Sequence, residues 1–253
     1  MKTRRMPCIV LCLGLIVTAL LGCTHDSHSP TAAVSSLQKG SGQLTDDTAD
    51  SDLSSSSYSS ETIVIAAIGD SITYGKGSSG GGYPPILEQK LQAAGYNVVV
   101  LNEGISGERS PETDERFLEV IAGVDVALIM IGMNDTIVPD DDYQVINFIE
   151  AMMDKAVISK TIPLVSTVTP SDSANDYYWV NAGITYLNEQ IIAAVAKRSP
   201  DVYLVDCYSA ILANGGSSLF SDEIHFTDAG YDVIADEWMR VLTKEKILDN
   251  IEH

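Results

Sequence analysis

The sequence predicts an α/β fold, a three-layer α/β/α sandwich with a five-stranded parallel sheet at its centre. Two observations lead to this prediction. Five short runs rich in β-branched residues recur along the chain, and a segment with helical spacing follows each of them. Strands that are buried on both faces are apolar almost throughout, and their alternation with helices is typical of parallel sheets with right-handed crossovers.

The predicted elements follow in a regular order after residue 60. The strands are predicted at residues 63–68, 97–101, 126–131, 164–168 and 202–205. The helices that alternate with them are predicted at residues 85–94, 112–121, 142–159, 178–198 and 227–243. Pro84 and Pro85 favour a helix start, Gly95 favours a helix end, and Thr227 suits the N-cap of the last helix.

The first 22 residues predict a signal peptide of the lipoprotein type. Three basic residues in the first five positions precede an apolar run at 8–21, which is shorter than the about 20 residues of a membrane span. The run closes with Leu20-Leu21-Gly22-Cys23. This ending resembles the bacterial lipobox, which implies cleavage before Cys23 and a lipid on its thiol. An ordinary secretory signal with an incidental cysteine is the alternative.

Residues 23–60 predict a lipidated N-terminus followed by a disordered, Ser- and Asp-rich tether, since so few large apolar residues cannot offset the entropy of ordering. Residues 61–253 are then the folded domain. A lipid anchor implies attachment to a membrane of the cell envelope. Thr24 instead of Asp after the cysteine points to the outer membrane if the source is Gram-negative.

Charge and cysteine usage exclude several classes of protein. Asp and Glu number 35 against 15 Lys and Arg, for a formal net charge of -20, which disfavours nucleic-acid partners. No metal-ligand constellation and no cofactor-binding motif is visible, so no metal and no cofactor are expected. Cys207 is the only cysteine of the folded domain, so its stability must come from a packed core. Nothing in the sequence indicates an oligomer, and a monomer is assumed.

Polar turns follow the first three strands at the sheet edge where ligands of such folds bind. They read Gly69-Asp70-Ser71, Asn102-x-Gly104-x-x-Gly107 and Gly132-x-Asn134-Asp135. The only histidine of the folded body before the terminal residue is His225, three residues after Asp222. A carboxylate at that spacing can orient the imidazole and leave its other nitrogen free to take a serine proton. Ser71, His225 and Asp222 are therefore candidates for a catalytic triad.

The three turns and the Asp222-x-x-His225 segment form four blocks. In their order and in their residues, these blocks resemble those of the GDSL-type or SGNH hydrolases, which are named for a Ser, Gly, Asn and His. The resemblance implies a flavodoxin-like SGNH hydrolase fold and a serine esterase in which Ser71 is the nucleophile, His225 the base and Asp222 its orienting acid. It further implies an oxyanion hole made by the backbone N–H groups of Ser71 and Gly104 and the side-chain amide of Asn134. Two positions depart from the pattern: Thr73 stands in the first block where Leu is familiar, and Phe226 follows the histidine where Pro is frequent.

The resemblance fixes the reaction better than the substrate, because the family includes carbohydrate O-deacetylases, arylesterases, lysophospholipases and thioesterases. Short acyl groups on a carbohydrate or another polar alcohol are expected, since no added apolar segment is visible that would enclose a long chain. Acyl transfer to a sugar and a catalytically silent, glycan-binding surface lipoprotein stay open as alternatives. Aromatic and apolar residues are candidates for lining the groove, with core packing as the alternative: Tyr74, Tyr83, Met133, Tyr178, Trp179 and Phe226.

Three finer expectations concern the surroundings of the triad. Gly104 is expected to lack a side chain so that substrate can approach the backbone closely. The Gly- and Ser-rich segment 75–82 is expected to form a mobile rim. Asp222 and Glu223 are expected to raise the pKa of His225 somewhat above its usual value of about 6.5.

Overall fold

The computed structural model describes residues 62–139, 144–174 and 176–251. The predicted signal peptide, Cys23 and the tether lie outside the described residues, as does the predicted start of the third helix at Asp142. Within the described part of the chain, no helix is long and apolar enough to cross a membrane.

The sheet has five parallel strands in the order β2-β1-β3-β4-β5. They are β1 (Ile63–Gly69), β2 (Val98–Gly104), β3 (Val126–Met130), β4 (Ile162–Ser166) and β5 (Tyr203–Val205). This confirms the predicted α/β/α fold class. Strand β2 runs past its predicted end at residue 101 to Gly104, and β4 is shifted toward the N-terminus relative to the predicted residues 164–168. Strand β4 ends at Ser166 because the backbone N–H and C=O of Val168 pair with the side-chain amide of Asn188, at 2.7 and 2.9 Å, instead of with a strand.

The long helices cover both faces of the sheet. They are α2 (Tyr83–Ala93), α3 (Ser110–Val120), α5 (Val145–Ile158), α6 (Val180–Arg198) and α8 (Asp228–Lys244). Helix α2 packs on α8, whereas α3 packs on α5 and α5 on α6. Strand β3, at the centre, is buried at every residue, so the core lies along the middle of the sheet.

Three short helices were not expected from the sequence, and two of them begin at the carboxyl ends of central strands. They are α1 (Ser71–Tyr74), α4 (Met133–Ile137) and α7 (Cys207–Ala213). Each is too short to show a hydrophobic period. Short 3-10 helices lie at Asp176–Trp179, Gly216–Leu219 and Leu248–Asn250. The first of them replaces the predicted start of α6 at Tyr178.

Candidate active site

Ser71 lies at the carboxyl end of β1, as the first residue of α1. Asp70 caps this helix through a 2.9 Å hydrogen bond that its carboxylate accepts from the Ile72 N–H. The Ser71 N–H belongs to the first turn, whose N–H groups have no acceptor within the helix. Ser71 is itself 6% exposed, so the residue is largely buried.

His225 reaches Ser71 from a loop that precedes α8. The distance between His225 Nε2 and Ser71 Oγ is 2.8 Å, and His225 Nδ1 lies 2.8 and 2.7 Å from the two oxygens of Asp222. The loop is closed by a hydrogen bond from the Ser221 N–H to the His225 carbonyl at 2.8 Å. Because the carboxylate accepts the Nδ1 proton, Nε2 is left to accept the proton of Ser71. The three residues that the sequence singled out therefore form one hydrogen-bonded row.

The protonation of this row follows from burial and local hydrogen bonds. Burial lowers the pKa of His225, and the opposing effect of the Asp222 charge does not outweigh it. The expected rise above the usual histidine pKa is therefore wrong, because the imidazole is buried. Burial raises the pKa of Asp222, but hydrogen bonds from the Ile224 and His225 N–H groups outweigh it and leave that pKa lowered. At neutral pH the histidine is neutral and the aspartate ionised.

Asn134 lies in α4, directly after β3, and its side chain faces the β2–α3 turn, residues 105–109. Its Nδ2 donates to the Glu108 carbonyl at 2.9 Å. A side-chain amide carries two N–H groups, so this bond fixes Asn134 and leaves a second donor.

The N–H of Gly104 is not available in this arrangement, because it donates to Asn102 Oδ1 at 3.0 Å. A Cβ at Gly104 would lie 2.1 Å from the Tyr74 backbone nitrogen. The glycine is therefore required by the contact between β2 and α1, and the expected approach of substrate to this backbone is not the reason for it. Gly107, in the next turn, adopts a φ of 85° and is exposed.

Asp70 and Asp135, the two aspartates beside the site, have structural partners. Asp135 accepts hydrogen bonds from the Ser110 N–H at 3.1 Å and the Ser110 hydroxyl at 2.9 Å, which ties α4 to the start of α3. Burial raises the pKa of Asp70 to about 7, and the charges of Asp135 and Glu108 act in the same direction. A carboxyl group that titrates near neutrality thus lies next to Ser71.

The candidate groove residues separate into two groups. Tyr74, Tyr178 and Trp179 are exposed, by 58%, 64% and 51%, at the carboxyl side of the sheet. The other three expectations are wrong, because these side chains are buried in the core and present no surface to a substrate: Tyr83, Met133 and Phe226. Tyr83 stacks on Trp238, and Phe226 packs against Phe220 and Tyr231.

The Gly- and Ser-rich segment 75–82 is tied to its surroundings and is not a free rim. Asp228 accepts hydrogen bonds from the Ser78 hydroxyl and from the N–H and hydroxyl of Ser79. The Tyr231 hydroxyl donates to the Lys76 carbonyl at 2.7 Å. A Cβ at Gly77 would lie 2.7 Å from the Phe226 carbonyl, so the segment lies against the histidine loop.

No group of three or more His, Cys, Asp and Glu side chains in the described ranges is arranged to hold a metal ion. Cys207 is buried with a free thiol, and burial raises its pKa to about 12, which leaves it unreactive at neutral pH.

The structure is thus an α/β/α sandwich with buried polar side chains gathered at the carboxyl ends of its parallel strands. Residues 67–233 match the family described as GDSL-like lipase/acylhydrolase. The chain belongs to this family and is an ester hydrolase. Among curated proteins, none matches the sequence significantly.

Solved structures of GDSL-type proteins and esterases share the fold. A member of the lipolytic protein G-D-S-L family from Veillonella parvula is 24% identical, with a TM-score of 0.62 over 72% of this chain and 99% of that one. An acetylxylan esterase from Geobacillus stearothermophilus is 20% identical, with a TM-score of 0.61 over 71% and 94%. A family 3 carbohydrate esterase from Clostridium thermocellum is 22% identical, with a TM-score of 0.57 over 75% and 98%. At these identities the likeness shows the fold alone.

Proposed function

We propose that the protein is a serine esterase that removes short acyl groups, such as acetyl, from a carbohydrate or another polar alcohol. The observation that carries this proposal is the hydrogen-bonded row from Ser71 Oγ through His225 to Asp222, with 2.8 Å between hydroxyl and imidazole. A buried serine with a neutral base and a fixed carboxylate is the arrangement that acyl transfer to a hydroxyl requires.

The reaction follows from these atoms. Ser71 Oγ attacks the ester carbonyl while His225 Nε2 takes the hydroxyl proton, and Asp222 stabilises the resulting imidazolium. Collapse of the tetrahedral intermediate breaks the bond to the alcohol, which receives the proton from His225. Water then attacks the acyl-enzyme with His225 again as base, which releases the acid and restores the Ser71 hydroxyl.

The oxyanion of each tetrahedral intermediate needs donors that are already in position. We assign this role to the Ser71 N–H, the second N–H of the Asn134 amide and the N–H of Gly107. Gly107 replaces Gly104 in this assignment because the Gly104 N–H already donates to Asn102.

Exposed aromatic residues support a sugar as the alcohol. Tyr74 ends the helix that begins with Ser71, and Tyr178 and Trp179 precede α6 at the same side of the sheet. Aromatic faces with polar neighbours suit a sugar ring, whereas a long acyl chain gains free energy only along a continuous apolar wall. Two of the proteins that share the fold are named for carbohydrate substrates, one as an acetylxylan esterase and the other as a carbohydrate esterase.

The test compares esters of one alcohol, from acetyl to palmitoyl, with acetylated xylan and a lysophospholipid as further substrates. We expect the specificity constant to be highest for acetyl and to fall as the chain lengthens. A steady rise with chain length, or faster cleavage of the lysophospholipid, would favour a lysophospholipase. A protein that binds xylan, turns over no ester and is not labelled by a serine-directed inhibitor is a glycan-binding protein. Ser71→Ala serves as the control for contaminating esterase.

We further propose that the enzyme is held at the cell envelope by a lipid on Cys23. The proposal is supported by the lipobox-like Leu20-Leu21-Gly22-Cys23 at the end of the apolar run. Cys23→Ser is expected to release the protein from the membrane fraction or leave it uncleaved, with activity retained. Membrane retention of the cleaved Cys23→Ser protein would refute this mode of attachment.

A further inference from the structure

One arginine on α3 spans the turn that faces Asn134. Arg116 Nη2 donates to the Glu103 carbonyl at 2.7 Å, near the end of β2. Its Nε and Nη2 also donate to the two carboxylate oxygens of Glu108, at 2.7 and 2.6 Å. Glu108 closes the turn by donating its N–H to the Ile105 carbonyl at 3.1 Å. A single guanidinium therefore fixes the two ends of the β2–α3 turn relative to each other.

The pair between Arg116 and Glu108 is largely removed from water. The Arg116 and Glu108 side chains are 18% and 6% exposed, and the Thr113 hydroxyl adds a 3.0 Å hydrogen bond to Glu108 Oε2. A paired and hydrogen-bonded carboxylate at this depth has little freedom to move, since breaking such a pair leaves a charge without a partner.

Glu108 connects this ion pair to the site through its backbone. Its carbonyl accepts the hydrogen bond from Asn134 Nδ2, and Gly107 directly precedes it. The side chain of Glu108 is thus held by Arg116, while its main chain holds the amide of Asn134. We propose that Arg116 is a positioning residue, which acts through Glu108 to keep the Asn134 amide where the oxyanion forms. This inference rests on the proposed esterase function.

Arg116→Lys tests the fork, which is the two-point contact of the planar guanidinium with the two carboxylate oxygens of Glu108. An ammonium group keeps the charge, but it cannot bind two carboxylate oxygens and a carbonyl in the fixed plane of a guanidinium. We expect a fall in kcat of about tenfold on an acetyl ester, with KM changed less than twofold and the midpoint of the pH profile unchanged. The matched control is Arg198→Lys, which disrupts a similar fork, to Asp154 at 2.7 and 3.1 Å, at the other end of the sheet. Its kcat is expected to stay that of the parent.

A double-mutant cycle separates positioning from general destabilisation. If Arg116 acts through Asn134, then Arg116→Lys should cost little further activity once Asn134 is alanine. Losses in kcat that multiply in the double variant, or an Arg116→Lys enzyme with unchanged kcat, would overturn the proposal. So would a rise in KM without a fall in kcat, because it would indicate a ground-state contact.

A second variant keeps the test decisive if Arg116→Lys does not fold, as judged by circular dichroism. Glu108→Gln keeps the size of the side chain and weakens the fork, and a fall in kcat at constant KM is expected for it as well. An unchanged kcat in a folded Glu108→Gln enzyme would overturn the proposal. Ser71→Ala in the same assay separates failure of this inference from failure of the proposed function: a Ser71→Ala protein as active as the parent refutes the proposed function itself.

Discussion

The two ends of the β-sheet differ in what they bury. Among the described residues, Thr161 is the only buried polar side chain at the amino ends of the strands, directly before β4. The carboxyl side buries Asp70, Ser71, Glu108 and His225 together with several hydroxyl groups of the neighbouring turns. Burying polar groups costs free energy unless they are paired, so their concentration at one end is expected where chemistry requires it.

The pairing also differs in kind. At the amino end, the Thr161 hydroxyl donates to the Val124 carbonyl at 2.8 Å, so the buried side chain is bound to the main chain. At the carboxyl end, buried side chains also bind one another, as the Ser71 hydroxyl does with His225 and the Ser110 hydroxyl with Asp135, at 2.8 and 2.9 Å. The amino end therefore pairs its buried hydroxyl with the backbone of the fold, whereas the carboxyl end brings side chains of several segments together in the candidate site. Five predictions test this difference, beginning with the largest effect.

Ser71→Ala and His225→Ala are each expected to remove nearly all esterase activity, by a factor of about 10⁴ or more in kcat. The double variant should be scarcely worse, because the two residues act as one unit. Steady-state kinetics of the two single variants and the double variant provide the check. Losses that multiply would contradict the shared role.

Asn134→Ala is expected to lower kcat by about 10² to 10³ with little change in KM, since it removes one oxyanion donor. Kinetics on the acetyl ester that serves for the triad variants check this value. An increase in KM alone would mean that Asn134 contacts the ground state of the substrate.

The pH dependence of kcat/KM should follow His225. The protonated imidazole cannot accept the Ser71 proton, and burial lowers the pKa of His225 below its usual value of about 6.5. We expect a level rate at neutral pH and a tenfold fall per pH unit below a midpoint under about 6.5. A midpoint above that value would indicate that the Asp222 charge outweighs burial.

Asp70→Asn should stabilise the fold in a pH-dependent way. The pKa of Asp70 is about 7 in the folded state, above its ordinary 3.8, so ionisation opposes folding. This cost is absent below pH 3.8, grows between the two values and is complete above pH 7. The amide keeps an acceptor for the Ile72 N–H, and we expect Tm to rise by several degrees at pH 8 and to stay near the parent value at pH 3.5. Asp201→Asn, an exposed residue at the amino end, should show no such difference.

Thr161→Val should have the smallest effect. Loss of one buried hydrogen bond is expected to cost about 1 kcal/mol of stability, measured by denaturant unfolding, with kcat and KM unchanged. A loss of activity would show that the amino end of the sheet is coupled to the site.

Much of the candidate site could be predicted from the sequence, because its candidate catalytic side chains belong to residue types with few alternatives in the folded domain. His225 is the only histidine within the described residues, and Asp222 lies three positions before it, so composition and spacing were sufficient. Gly104 shows where such reasoning ends. A glycine in a motif indicates a close approach, but the sequence does not say whether the neighbour is a substrate or, as here, the backbone of Tyr74.

The sequence by itself determined the order of the strands and long helices, the family, and the choice of Ser71, Asp222 and His225 as candidate catalytic residues, because periodicity and rare residue types are local properties. Only the tertiary structure decided which aromatic residues are exposed, that burial lowers the pKa of His225, and that Arg116 reaches Glu108 and through it Asn134. The physical reason is that burial and long-range pairing depend on how segments far apart in the chain pack together, and no local pattern records that packing.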